Sequence, residues 1–136
     1  MPPVIRVAAG LVFRSGRLLI AQRLPHAHMG GLWEFPGGKL EPGETHQDCV
    51  VRELREELDI EVEALEPLAE ARHAYPEKIV AIVFLKCRWL SQEARALQCA
   101  NVAWIHRHEL ADYPFPPADT EILETLTLNT SLWTFS

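Results

Sequence analysis

Gly38, Glu44 and the run Arg52-Glu53-Leu54-Arg55-Glu56-Glu57 stand at fixed separations of five and then seven intervening residues. The segment Thr45 to Leu58 has no glycine or proline, is rich in Arg, Glu and Leu, and opens on Thr45, which can cap a helix. At about 100° per residue, Val50, Val51, Leu54 and Leu58 share a core-facing arc. Glu53, Glu56 and Glu57 share a second arc, and Asp48, Arg52 and Arg55 fall in a third, solvated one. Three carboxylates so spaced repel one another by a few tenths of a kcal/mol per pair, roughly, so something must neutralise them. A solvated face shielded by Arg52 and Arg55 would do so. The wider spacing says more, because six residue types at set offsets are a rare coincidence at ordinary residue frequencies.

The breakers around this helix mark the elements that position it. Val4 to Phe13 is apolar and ends at Arg14-Ser15-Gly16-Arg17, after which Leu18 to Ala21 resumes, which predicts a hairpin. Residues 24–43 hold Pro25, Pro36, Pro42 and five glycines, which predicts a long functional loop without regular structure. Ile60 to Ala74, Ile79 to Trp89 and Val102 to Ile105 are expected as strands, with Pro76 in a turn. Arg107 to Leu110 is expected as one helical turn. Ile122, Leu123 and Leu126 share one face of a short closing helix with Asp119 at its N-cap position. The fold class is therefore α/β (α+β), a mixed sheet covered by helices. The tail, Asn129 to Ser136, carries Leu132, Trp133 and Phe135, which either dock on the body or meet a partner.

With 136 residues, the chain has room for one domain spanning 1–136. Hydrophobic residues at 48% and charged ones at 24% suit a soluble core. A net charge of −6 opposes binding of a nucleic-acid polymer. The longest apolar run, Ile79 to Leu85, is too short to span a membrane, and no signal peptide is read at the N-terminus, so a cytoplasmic location is expected. Cys49, Cys87 and Cys99 are read as free thiols, and the pairs His26/His28 and His106/His108 lack further ligands at zinc spacing.

The pattern resembles the signature of the Nudix hydrolases, G-x5-E-x7-R-E-U-x-E-E-x-G-U with U aliphatic. Gly38, Glu44, Arg52, Glu53, Leu54, Glu56, Glu57 and Ile60 match it, and Asp59 replaces the family's second glycine. Asp tolerates the left-handed conformation of that helix terminator, so a small stability cost and intact chemistry are expected. Ala21-Gln22-Arg23, His26-Ala27-His28-Met29, Trp33 to Lys39 and Phe115 to Asp119 extend the resemblance towards the MutT-type nucleoside triphosphate pyrophosphohydrolases. This implies a Nudix-type mixed β-sheet sandwiched between α-helices, Mg²⁺ or Mn²⁺ as cofactor, and release of a nucleoside monophosphate and pyrophosphate.

The resemblance also implies roles. Glu53, Glu56 and Glu57, with the Gly37 carbonyl, are the metal ligands, a hard oxygen set suited to Mg²⁺. Glu44 and Arg52 orient them. Glu53 or Glu56 accepts a proton from the attacking water. Related enzymes carry another carboxylate where this chain has Gln98, whose amide cannot act as a base. Substrate contacts fall to Arg23, His28, Glu34, Phe35, Pro36, Gly37, Gly38, Lys39 and Asp119. Enzymes that destroy 8-oxo-dGTP have Asn at the place of Asp119, and a carboxylate, which only accepts, suits a cytosine-type amino group or a base N–H. The expected function is nucleotide-pool sanitation, allied to DNA repair, on 8-oxo-dGTP or, alternatively, on CTP and oxidised pyrimidine triphosphates. A non-catalytic lesion-recognition module and a Nudix enzyme for another diphosphate, such as a nucleotide sugar or dinucleotide, are the remaining readings. The expected partner is the triphosphate itself, with no polymer or membrane, the chain acting as a monomer or homodimer.

Overall fold

A computed structural model describes residues 2–134. Strands β1 (Val4–Arg14) and β2 (Arg17–Gln22) form the expected hairpin, turning on Ser15 and Gly16, both at positive φ. Two short strands, β3 (Trp33–Glu34) and β4 (Gly37–Lys39), follow, then helix α1 (His46–Leu58), β5 (Glu61–Ala74), β6 (Ile79–Ser91), β7 (Asn101–Ile105) and helix α2 (Thr120–Leu128). Short 3₁₀ helices at Arg107–Asp112, Pro117–Asp119 and Thr130–Thr134 complete the chain.

The sheet has the order β3-β2-β1-β6-β5, with β4 also on β1 and β7 on β2. It is mixed, because β1 runs parallel to β6 through ten paired residues while its other neighbours are antiparallel. The pleat sends alternate residues of β1 to opposite faces, and both faces are covered. Ala8 and Val12 pack with Leu19 against Cys49, Val50, Leu54 and Leu58 of α1. Leu11 and Phe13 pack with Phe84 against Ile122, Leu126 and Trp133.

The reading of residues 24–43 as structureless needs correction. Gly37–Lys39 pairs with Val7–Ala9, and Trp33–Glu34 pairs with Ala21–Gln22. Sheet partners supplied from elsewhere in the chain override the local turn preference of glycine and proline. The tail docks on the body: Trp133 is buried, meets Phe13 edge-on at 5.5 Å, and donates its indole N–H to the Leu126 carbonyl at 2.9 Å. Phe135 lies outside the described residues. Among the described residues, no helix is long and apolar enough to cross a membrane.

Candidate active site

Helix α1 is closed at both ends by residues visible in the sequence, Thr45 with its side chain and Asp59 with its backbone. Thr45 accepts a hydrogen bond from the Asp48 N–H at 3.0 Å. Asp59 adopts φ 58° and ψ 36°, its N–H bonds to the Arg55 carbonyl, and the Ile60 N–H reaches Leu54, a Schellman closure made without glycine. Cys49, Val50, Leu54 and Leu58 are buried, while Val51 is only half-buried. This clamps the register of the helix and so the direction in which Glu53 and Glu57 point.

Arg52 is not in a solvated sector. Its Nε lies 2.6 Å and its Nη2 2.9 Å from the two oxygens of Glu44, and its Nη1 lies 2.9 Å from Glu53 and 3.2 Å from Glu56. Nη2 also donates to the Lys39 carbonyl on β4 at 3.1 Å. One planar guanidinium thus ties the loop before α1, two helix carboxylates and the β4 backbone into one rigid unit. Glu44 accepts in addition from the Glu41 N–H at 2.8 Å, and the Arg52 guanidinium holds its carboxyl down at about 2. Arg55 takes no part, because its guanidinium grips Glu61 instead.

Behind Glu53 stands β4. A Cβ on Gly38 would lie 2.6 Å from both Glu53 carboxylate oxygens, and one on Gly37 would run into the Ala8 carbonyl. Only glycines let β4 lie this close to the helix side chain and to β1. Glu57 meets Glu53, and burial first, then the charges of Glu53 and Glu34, push its carboxyl up to about 8. Arg52 pairs with Glu44, Glu53 and Glu56, and among the described residues no ion pair reaches Glu57.

The spacing singles out Glu53, Glu56 and Glu57, and the fold adds Glu34 to their surroundings. Glu57, Glu53 and Glu34 share one electrostatic neighbourhood, whereas Glu56 is half exposed and turned to Arg52. Among the described residues, no three His, Cys, Asp or Glu groups form a closed metal cage. The donor chemistry nonetheless fits a hard divalent cation: the two touching carboxyls repel once both are ionised, a cation can take the place of the proton that Glu57 otherwise keeps, and every donor is oxygen.

The segment 92–100 straps the end of α1. The N–H groups of Arg95 and Leu97 donate to the carbonyls of Leu58 and Glu57 at 2.9 and 3.1 Å. Arg14 anchors the strap by a bidentate pair with Glu93 and by stacking 3.7 Å over Trp89. Gln98 is exposed on this strap, and the half-buried Cys99 feels the charges of Glu57 and Glu34.

On the α2 side of the sheet, two adjoining cavities of about 180 and 300 Å³ share Arg23, Ile82 and Asp119. The smaller reaches Glu34, Phe35, Gly37 and Gly38, and the larger reaches His28, Tyr75, Lys78 and Pro116. Phe35 is both core and wall, stacked on Phe115 at 5.2 Å and edge-on to Phe84. Pro36 is buried, and its carbonyl receives the Gly10 N–H at 2.7 Å. Lys39 is exposed beyond the groove, beside Leu40 and Pro42. The His28 ring packs against Tyr75 at 5.7 Å.

Asp119 is 7% exposed and makes no side-chain cap bond to α2, so its N-cap role is confined to the backbone. Burial pushes its carboxyl up to about 6, against the pull of Arg23. His73 from the end of β5, and Tyr75 and Lys78 from the β5–β6 turn, reach the groove. That turn carries no motif, and only the pairing of two long strands brings it there.

The NUDIX domain family matches residues 8–125. The CTP pyrophosphohydrolase of Escherichia coli (strain K12) is 36% identical over 121 residues, which cover 89% of this chain and 90% of that protein. The 8-oxo-dGTP diphosphatase of Haemophilus influenzae is 33% identical over 125 residues, covering 90% of this chain and 91% of that protein. The solution structure of the E. coli ORF135 protein superposes with a TM-score of 0.80 at 33% identity, covering 93% of this chain and 91% of that one. Members of the family use divalent metal ions, in accord with the oxygen donors gathered at Glu53 and Glu57. With the glutamate helix, the Gly37–Gly38 strand and the matched span in agreement, the chain belongs to the NUDIX domain family as a MutT-like Nudix hydrolase.

Proposed function

We propose that the protein is a Mg²⁺-dependent nucleoside triphosphate pyrophosphohydrolase that removes damaged or surplus nucleotides from the cytoplasmic pool. The observation that carries this reading is the Glu53–Glu57 pair, in which Arg52 reaches Glu53 and not Glu57, packed against the Gly38 that lines the groove holding Asp119. Glu53, Glu57 and the Gly37 carbonyl would hold the cation, with Glu56 beside them. When bound, the cation offsets the repulsion between the polyphosphate and an acidic site and polarises the phosphoryl oxygens.

The chain's own residues do the rest. Arg52 and Glu44 lock Glu53 in place, so that its geometry is set before substrate arrives. Glu56, its side chain 51% exposed and one oxygen 3.2 Å from Arg52, would take the proton of the attacking water. Water oxygen bonds to phosphorus, the bond to the bridging anhydride oxygen breaks, and pyrophosphate and a nucleoside monophosphate separate. Arg23, Phe35 and Asp119 face the nucleoside.

Asp119 favours a second substrate class within the same reaction. An ionised carboxylate accepts hydrogen bonds from an exocyclic amino group and repels a base carbonyl, so cytosine triphosphates compete with 8-oxo-dGTP here. The two names attached to the relatives divide along the same line. Incubation with normal and oxidised triphosphates and Mg²⁺, with products resolved by anion exchange, tests the proposal. Monophosphate and pyrophosphate in equal amounts are expected. Orthophosphate alone, or no cleavage, would contradict it.

A further inference from the structure

Arg23 borders both cavities of the groove, and its three nitrogens are used differently. Nε lies 2.8 Å from Glu34 Oε1, an ion pair, yet this buried atom lacks an aligned hydrogen bond. Nη1 donates to the His28 carbonyl at 3.0 Å. Among the described residues, Nη2 makes no hydrogen bond. Asp119 lines the same cavity as Arg23 and Glu34, is buried, and spends no oxygen on the helix that follows it. Two carboxylates therefore share one guanidinium, and only Glu34 holds it in contact.

On the reading of this groove as the nucleoside pocket, we propose that Glu34 is a positioning residue for base selection. By gripping Arg23 at Nε, it keeps the guanidinium off Asp119. The Asp119 carboxylate is then open to an N–H donor on a base edge, and Arg23 Nη2 is open to an acceptor. Without Glu34, the buried carboxylate left beside Arg23 in both cavities is Asp119, which already feels the guanidinium's charge. The two would pair, and both would be lost to the ligand, since a satisfied ion pair in a buried pocket neither accepts nor donates freely. Glu34 thus acts through Arg23 and needs no contact with the base.

The test is a cycle on selectivity. Glu34 also adds charge near Glu57, so its removal alters metal handling for every substrate alike, and the ratio of two kcat/KM values cancels that effect. The ratio of CTP to 8-oxo-dGTP is measured in the wild type, Glu34→Gln, Asp119→Asn and the double variant. Asp119→Asn is expected to move the ratio about tenfold in the wild-type background and less than about threefold in the Glu34→Gln background. In an Arg23→Gln background, Glu34→Gln should no longer change the ratio.

An equal effect of Asp119→Asn in both backgrounds overturns the proposal. If Glu34→Gln does not fold, Glu34→Asp takes its place, its shorter arm loosening the grip with the same sign. If the wild type cleaves neither triphosphate, the reading of the groove fails and takes this inference with it. Cleavage of both with an additive cycle sinks the inference alone.

Discussion

The Glu53 carboxylate occupies the space that a side chain on Gly38 would need, with both oxygens 2.6 Å from the position of a Gly38 Cβ. Gly38→Ala should therefore evict the carboxylate from its place between β4 and Arg52. Misplacement of a catalytic group by about 1 Å costs on the order of 10²-fold, and kcat/KM should fall by about that much while the fold survives. Steady-state kinetics with a thermal melt checks this. Turnover within a few-fold of wild type would show that Glu53 tolerates the displacement.

Arg52 bridges Glu44, Glu53 and Glu56 with a planar fork, which an ammonium group cannot reproduce. In Arg52→Lys, kcat should drop roughly 10- to 100-fold, the usual cost of losing a group that orients metal ligands. KM for the triphosphate should change little, because Arg52 touches carboxylates and the Lys39 carbonyl. A loss confined to KM would instead place Arg52 on the substrate.

Much of this site was legible in the sequence because its logic is local. The spacing of Gly38, Glu44 and Arg52-Glu53 through Glu57 encodes one helix and its approach strand, and Thr45 and Asp59 mark its ends as found. What escaped depends on distant pairing. β4 looked like a breaker-rich loop, since its strand character comes from Val7–Ala9. A helical wheel places Arg52 with Arg55 in solvent, since it cannot show that the loop bearing Glu44 folds back over that face. The sequence offers Glu34 as a substrate contact, and its influence on Glu57 arises only once the sheet has folded beside α1. Tyr75 and His73 carry no motif at all. Trp133 had no visible home because the core that receives it is built from β1 and α2.

Asp119 imposes a pH signature on stability. Its carboxyl titrates at about 6 in the folded chain against an ordinary value of 3.8, so the native state holds the proton more tightly than the unfolded state does. The associated stability is fully present below about pH 4 and is lost as pH rises through about 6. Asp119→Asn removes this penalty. At pH 7.5 the variant should be more stable than wild type by on the order of 1–3 kcal/mol, and at pH 4 the two should coincide. Urea melts at both pH values measure the difference, and a constant gap across pH would show that Asp119 is not titrating.

Trp133 closes the α2 side of the core against Phe13, with its N–H satisfied by Leu126. Trp133→Ala should cost about 3–5 kcal/mol, the range for deleting a buried aromatic. Chemical denaturation is the measurement, and a cost under about 1 kcal/mol would mean that the tail is not part of the core.

The most direct test is a metal titration without nucleotide. Calorimetry with Mg²⁺ and paramagnetic resonance with Mn²⁺ on the wild type and Glu57→Gln ask whether the touching carboxyls take up a divalent cation. The expected result is saturable binding by the wild type, with affinity about 10-fold or more weaker in Glu57→Gln. Identical isotherms for the two proteins, or no uptake by the wild type at millimolar metal, would contradict the assignment of this site.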